Sequence, residues 1–106
     1  MVAFPDVQIL DVTGPLEVFG SASRLLAERP GAGPDPAYRV EIVAARAGTL
    51  VCSSGLRIVA TRALRSVRSG VDTLLVAGGA GTAAAVADTE LLRWLRATAP
   101  RVRRYG

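Results

Sequence analysis

Residues 71–81 read VDTLLVAGGAG. A continuous apolar run stops at two glycines, Gly78 and Gly79. That is the pattern of a strand buried on both faces of a parallel sheet, followed by a tight turn. What flanks the run supports the same reading. Residues 83–99 have helical spacing, with Asp88 as a cap before ELLRWLRATA and with Leu91, Leu92, Trp94 and Leu95 as the apolar side. Pro100 stops that helix, and Val102 to Tyr105 reads as the start of another strand.

Upstream, residues 49–52 (TLVC) and 56–60 (LRIVA) flank Ser53-Ser54-Gly55. That predicts a hairpin with Gly55 at positive φ. Residues 61–69 read as a short helix or turn. YRVEIVA, residues 38–44, alternates as a strand, and PGAGPDPA, residues 30–37, is a loop. In FPDVQILDVTGPLEVFG, residues 4–20, Thr13 offers an N-cap and Pro15 suits a first helical turn. Leu16, Phe19, Ala22 and Leu26 then recur at helical spacing to about Arg29. Residues 2–4 look like the end of a strand too short to cross a sheet, so residues upstream are expected. The order of strands and helices predicts an α/β layered fold with a mostly parallel sheet and a β-hairpin, incomplete at both ends.

Composition narrows the chemistry. The chain has 106 residues, half of them hydrophobic, which supports one packed core. It has one cysteine, Cys52, and no histidine. An intrachain disulfide, a Cys/His zinc site and a Ser-His or Cys-His pair are therefore impossible within these residues. Neither a membrane-spanning stretch nor a secretory signal is visible, so the expected location is the cytoplasm, with no membrane partner. The net charge is +4, and every basic residue is an arginine. It gathers toward the end, in RWLRATAPRVRRYG. A nucleic-acid patch is one reading; a solvated helix face with cations near a helix C-terminus is the other, and the absence of interleaved aromatics favours it.

Two segments follow strand ends, where α/β sheets bind ligands. The first holds Asp11 and Glu17. Glu17 in a first helical turn is explained by the helix dipole. Asp11, within the apolar VQILDV, is expected to be partly buried. It then either takes part in proton transfer or is satisfied by nearby backbone N–H groups. The second is Ala77-Gly78-Gly79-Ala80-Gly81-Thr82, whose N–H groups are placed to hold an oxyanion. GAGTAA also matches a loose dinucleotide pattern, but no acid stands at the end of the next strand. Cys52 lacks both an elbow and a base and reads as a small apolar filler.

FPDVQILDVTGPLEVF, YRVEIVAA, SSGLRI, DTLLVAGGAG and LLRWLRATAPRVRRYG, in that order, resemble the ThiJ/PfpI family, which is class I glutamine amidotransferase-like. The resemblance implies a flavodoxin-like fold and covers residues 1–106 as a partial domain. It looks nearest to the N-terminal domain of AraC-type transcriptional regulators of the GlxA kind, with isonitrile hydratase a near relative. It implies a catalytic place for Asp11, facing the family's cysteine, and a ligand-binding place for Gly78 and Gly79 in an oxyanion corner. Ala77 stands where the wider family has proline. The family's cysteine elbow would follow just after Gly106. The expected function is thus the front of a ligand-sensing domain, inactive as it stands. The alternative is part of an isonitrile hydratase-like or amidohydrolase-like cysteine enzyme. No cofactor or metal is implied. The expected partners are an unknown small-molecule ligand, a possible homo-oligomer, and DNA only through a segment outside these residues.

Overall fold

The computed structural model describes all residues, Met1 to Gly106. A parallel sheet forms the middle layer. β1 (Val43–Ala44) pairs with β4 (Arg62–Ala63), and β5 (Thr73–Leu74) pairs with β6 (Arg104–Tyr105). Val2 joins the two halves through parallel bridges to Val43 and Val76. The order across the sheet is therefore β4, β1, the Val2 segment, β5 and β6. The ladders are short, and backbone hydrogen bonds outside them extend the pairing, such as Val76 N–H to the Gly106 carbonyl at 2.8 Å.

The expected hairpin is present. β2 (Gly48–Val51) and β3 (Arg57–Ala60) pair antiparallel, and Gly55 turns the corner at φ +82°. Two cores lie on the sheet. Val2, Val43, Leu64, Val67, Leu74 and Leu91 form one, covered by a 3-10 turn (Leu64–Ser66) and by α3 (Thr89–Thr98). Ala3, Phe4, Val7, Val12, Cys52 and Ala77 form the other, under α1 (Ile9–Ala27) and the hairpin. Cys52 is 1% exposed, the apolar filler expected.

Four details differ from the sequence reading. First, the helix begins at Ile9, not after Thr13. Pro5 and Asp6, the latter at φ +57°, turn the chain as soon as the first strand ends. Ile9, Val12 and Leu16 then meet the core at helical spacing. Thr13 is not a cap: its hydroxyl donates to the Ile9 carbonyl at 3.0 Å. Pro15 lies inside the helix, where its missing N–H leaves the Asp11 carbonyl without the usual donor.

Second, residues 83–99 are not one helix. α2 (Thr82–Ala87) and α3 are separated by Asp88, whose extended backbone and carboxylate cap α3. Asp88 Oδ1 accepts from Glu90 N at 2.9 Å and Leu91 N at 3.1 Å, so the expected cap is correct although the helix is split there. Third, the strand at 71–79 is covered on both faces, with Leu74 in one core and Ala77 in the other, but the cover is incomplete: Val76 is 38% exposed. Fourth, only Val43–Ala44 of the expected 38–44 strand is in a ladder.

The C-terminal arginines divide by role. Arg93, Arg96 and Arg101 are exposed. Arg103 and Arg104 bind the Asp72 carboxylate, at 2.8 Å and 3.5 Å for the closest pairs, and tie β6 to the start of β5. The hydrogen bond from Arg103, with one from Thr73, holds the Asp72 pKa at about 2, below the ordinary 3.8. A depressed carboxylate contributes stability that is fully present above its unfolded value and fades as pH falls through the folded one. Attachment of β6 is therefore expected to loosen between about pH 4 and pH 2, and in Asp72→Asn at neutral pH. Amide exchange at Arg104 and Gly106 measures this; unchanged rates in the variant would contradict the tie.

Candidate functional site

The carboxyl end of the sheet is built from three backbone turns stitched together. The first is Pro5–Gln8, between the first strand and α1. The second is Gly78–Gly81, between β5 and α2. The third is the hairpin tip at Ser53. Gln8 N–H donates to the Gly78 carbonyl at 2.8 Å, and Gly81 N–H to the Asp6 carbonyl at 3.1 Å. Asp6 N–H reaches Val51 at 2.9 Å, and Ser53 N–H reaches Val7 at 3.0 Å. Val7 lies in the middle, fully buried.

Two glycines are required by this stacking. Gly79 has φ +132°, and a Cβ there would run into the Gln8 amide nitrogen and lie 2.7 Å from the Asp6 carbonyl oxygen. Gly81 has an ordinary φ, but a Cβ would press on the Pro5 carbonyl. The two loops pass too closely for any side chain between them.

Asp11 stands at the rim, in the first turn of α1, and Gly78 N–H donates to its Oδ2 at 2.9 Å. Two residues singled out separately in the sequence, 67 positions apart, are thus in direct contact. Gly79 follows immediately, and its own N–H makes no hydrogen bond within the protein. Asp11 is exposed and not partly buried, because the chain has already turned into a helix when it reaches this residue. Of the two origins weighed for it, satisfaction by a backbone N–H matches this contact. A carboxylate in the first turn also gains about 0.3–1 kcal/mol from the helix dipole.

Glu17 is not in a first turn. It lies on the outer face of α1, bonded by the Ser21 hydroxyl at 2.8 Å and by Arg24 at 2.9 Å. Those bonds hold its carboxyl below the ordinary range, the Ser21 bond most of all. The helix-start role assigned to Glu17 therefore falls to Asp11, and Glu17 takes no part in the corner. Cys52 shares a core with Val7 but is buried and does not open onto the rim.

Sequence reasoning missed the Pro5–Asp6 turn that sets this geometry. Its signal was the Pro-Asp pair itself, a frequent turn opener. Chemically, the corner offers one carboxylate, one N–H that it occupies and one N–H that is free. An oxyanion or a carbonyl oxygen could take the free donor. It could also displace Asp11 from Gly78 and gain both.

No protein-family model matches this chain, and no curated protein does. Among solved structures it is similar to a ThiJ/PfpI family protein from Pseudomonas syringae, at 25% identity and a TM-score of 0.82. That match covers 99% of this chain and 38% of the other. The fold is accordingly the flavodoxin-like fold of a ThiJ/PfpI protein, and the 106 residues span well under half the length of that relative.

Proposed function

We propose that these residues are the front part of a ThiJ/PfpI-type ligand-sensing domain, and that the whole protein is an AraC-type transcriptional regulator of the GlxA kind working in the cytoplasm. The observation that carries the sensing role is the Asp11–Gly78 contact beside the free Gly79 N–H. It is a corner that exchanges one acceptor for another without any covalent step. An anionic or carbonyl-bearing small molecule fits it, because such a ligand replaces the Asp11 oxygen on Gly78 with an oxygen of its own. Binding then frees Asp11 and the start of α1, which gives the ligand a mechanical output. DNA contact would come from a different part of the protein.

An enzymatic reading draws on the same corner. Asp11 is exposed at the rim, where it could exchange a proton with a ligand, as expected of an isonitrile hydratase-like or amidohydrolase-like protein. Asp11→Asn in the full-length protein distinguishes the two. Under the sensing reading, the variant keeps its fold and changes ligand affinity by about tenfold or more, the scale of a charged hydrogen bond. Ligand-dependent release from operator DNA shifts with it. Under the enzymatic reading, turnover of an isonitrile or amide is abolished. Unchanged ligand response and unchanged turnover in Asp11→Asn would contradict both roles for this residue.

A further inference from the structure

The two layers that cover the sheet differ in charge. One is made by the 3-10 turn and α3, residues 64–68 and 88–101, which pack on the same core. Trp94 Nε1 ties its parts together by donating to the Val67 carbonyl at 3.2 Å. This layer carries Arg65, Arg68, Arg93, Arg96 and Arg101, all exposed and none in an ion pair. Its acids are Asp88 and Glu90. The Asp88 carboxylate is already taken by the Glu90 and Leu91 N–H groups. The other layer is α1 with Glu28 and Arg29, and the hairpin with Arg46. It holds Arg24, Arg29, Arg46 and Arg57 against Asp11, Glu17 and Glu28, and Arg24 is bound to Glu17 at 2.9 Å. The positive excess therefore lies mainly on the α3 face.

The helix dipole accounts for only part of this excess. Arg96 is in the last turn of α3 and Arg101 lies just beyond it, where cations are favoured. Arg93 is in the middle of α3. Arg65 and Arg68 lie in and just after a three-residue turn, too short for an end effect. Arg93 and Arg96 stand three positions apart on the helix, which makes them neighbours with Cβ atoms about 5–6 Å apart. With Thr89 and Leu92 they line a shallow groove on the outer side of α3.

We propose that this arginine face is a sequence-independent contact for the phosphate backbone of duplex DNA. The inference rests on the regulator reading and goes beyond it, because that reading assigns DNA contact to a different part of the protein. Guanidinium groups suit phosphate because paired N–H donors match its oxygens. A duplex is a dense line of phosphates. Neutralising several of them releases counterions, which supplies affinity without any base contact. The lack of interleaved aromatics counts against a single strand, whose bases need stacking partners, and not against a duplex backbone. A membrane surface fits less well. Leu91, Trp94 and Leu95 face the core, so α3 has no apolar side to give to lipid. Operator recognition stays with the other part of the protein, and this face holds the sensing domain against the DNA beside it.

The test titrates the 106-residue chain onto a labelled random-sequence duplex and follows fluorescence anisotropy between about 20 and 200 mM salt. Log affinity is expected to fall with log salt at a slope of about −3 to −4, as for about four neutralised phosphates. Arg93→Gln with Arg96→Gln is expected to lessen the slope by about two and to weaken binding about tenfold or more at low salt. Arg46→Gln with Arg57→Gln removes the same charge from the hairpin layer and should leave the slope within about half a unit. No binding at the lowest salt, or equal losses from the two pairs, would overturn the proposal. So would tighter binding to the single strand, or to vesicles rich in phosphatidylserine, than to the duplex. Footprinting of the full-length protein tests the underlying reading separately. A footprint with no specific operator would sink the regulator reading while the backbone contact stood. A clear operator footprint beside an unchanged slope in Arg93→Gln with Arg96→Gln would sink only the contact.

Discussion

Gly79→Ala is expected to cost about 3 kcal/mol or more in urea unfolding, a large share of the 5–15 kcal/mol of an ordinary domain. Two effects combine. The backbone at φ +132° strains any side chain, by about 1–3 kcal/mol on its own. The new methyl group would also meet backbone atoms of residues 6 to 8, which cannot swing aside as the end of a side chain can. The Pro5–Gln8 turn would have to leave the Gly78–Gly81 turn, opening the bonds that bury Val7. Gly81→Ala separates the two effects, since its φ is ordinary and only the contact with Pro5 remains. A cost below about 0.5 kcal/mol for Gly79→Ala would mean that the two loops are not stacked as described.

Leu64→Ala is expected to be the other large loss, about 2–5 kcal/mol. Leu64 is 1% exposed and packs with Val2, Val43 and Leu74, the residues that join both halves of the sheet. Its neighbours belong to the sheet and to α3, which their own hydrogen bonds hold in place and keep from closing on the space left. In a chain of this size the melting point should fall by roughly 10 °C or more. Leu10→Ala is the control: Leu10 is 68% exposed, so the same chemical deletion should fall within about 0.5 kcal/mol. Equal effects from the two variants would place the core elsewhere.

Of these two residues only Gly79 lies in a stretch whose structure is legible in the sequence. The apolar run into Gly78-Gly79, the hairpin around Gly55 and the cap at Asp88 are local signals, and each lies where its chemistry predicts. The start of α1 was misplaced because Val7, Ile9 and Val12 suit a strand and a helix alike over so short a run. Only the Pro5–Asp6 turn decides between them. The strand at 38–44 has the right alternation but forms a short ladder, because its pairing with the Met1–Ala3 segment reaches only to Glu41. Pairing is a property of the neighbour, and alternation cannot report it.

The site was legible in its parts and not in its assembly. Asp11, Gly78 and Gly79 were singled out, but the weight on Asp11 came from family resemblance. No spacing rule joins residues 67 positions apart. The partial burial expected of Asp11 is absent: the residue is exposed. Its place at the rim comes from the early helix start, and its partner from the loop crossing that Gly79 and Gly81 permit.

The central claim is that Asp11 holds the Gly78 N–H until a ligand takes it. The most direct measurement compares the Gly78 amide by ¹⁵N–¹H NMR in the wild-type chain and in Asp11→Asn. The bond to the carboxylate predicts a downfield Gly78 amide in the wild type that moves upfield in the variant. A Gly78 amide that behaves identically in both chains would contradict it.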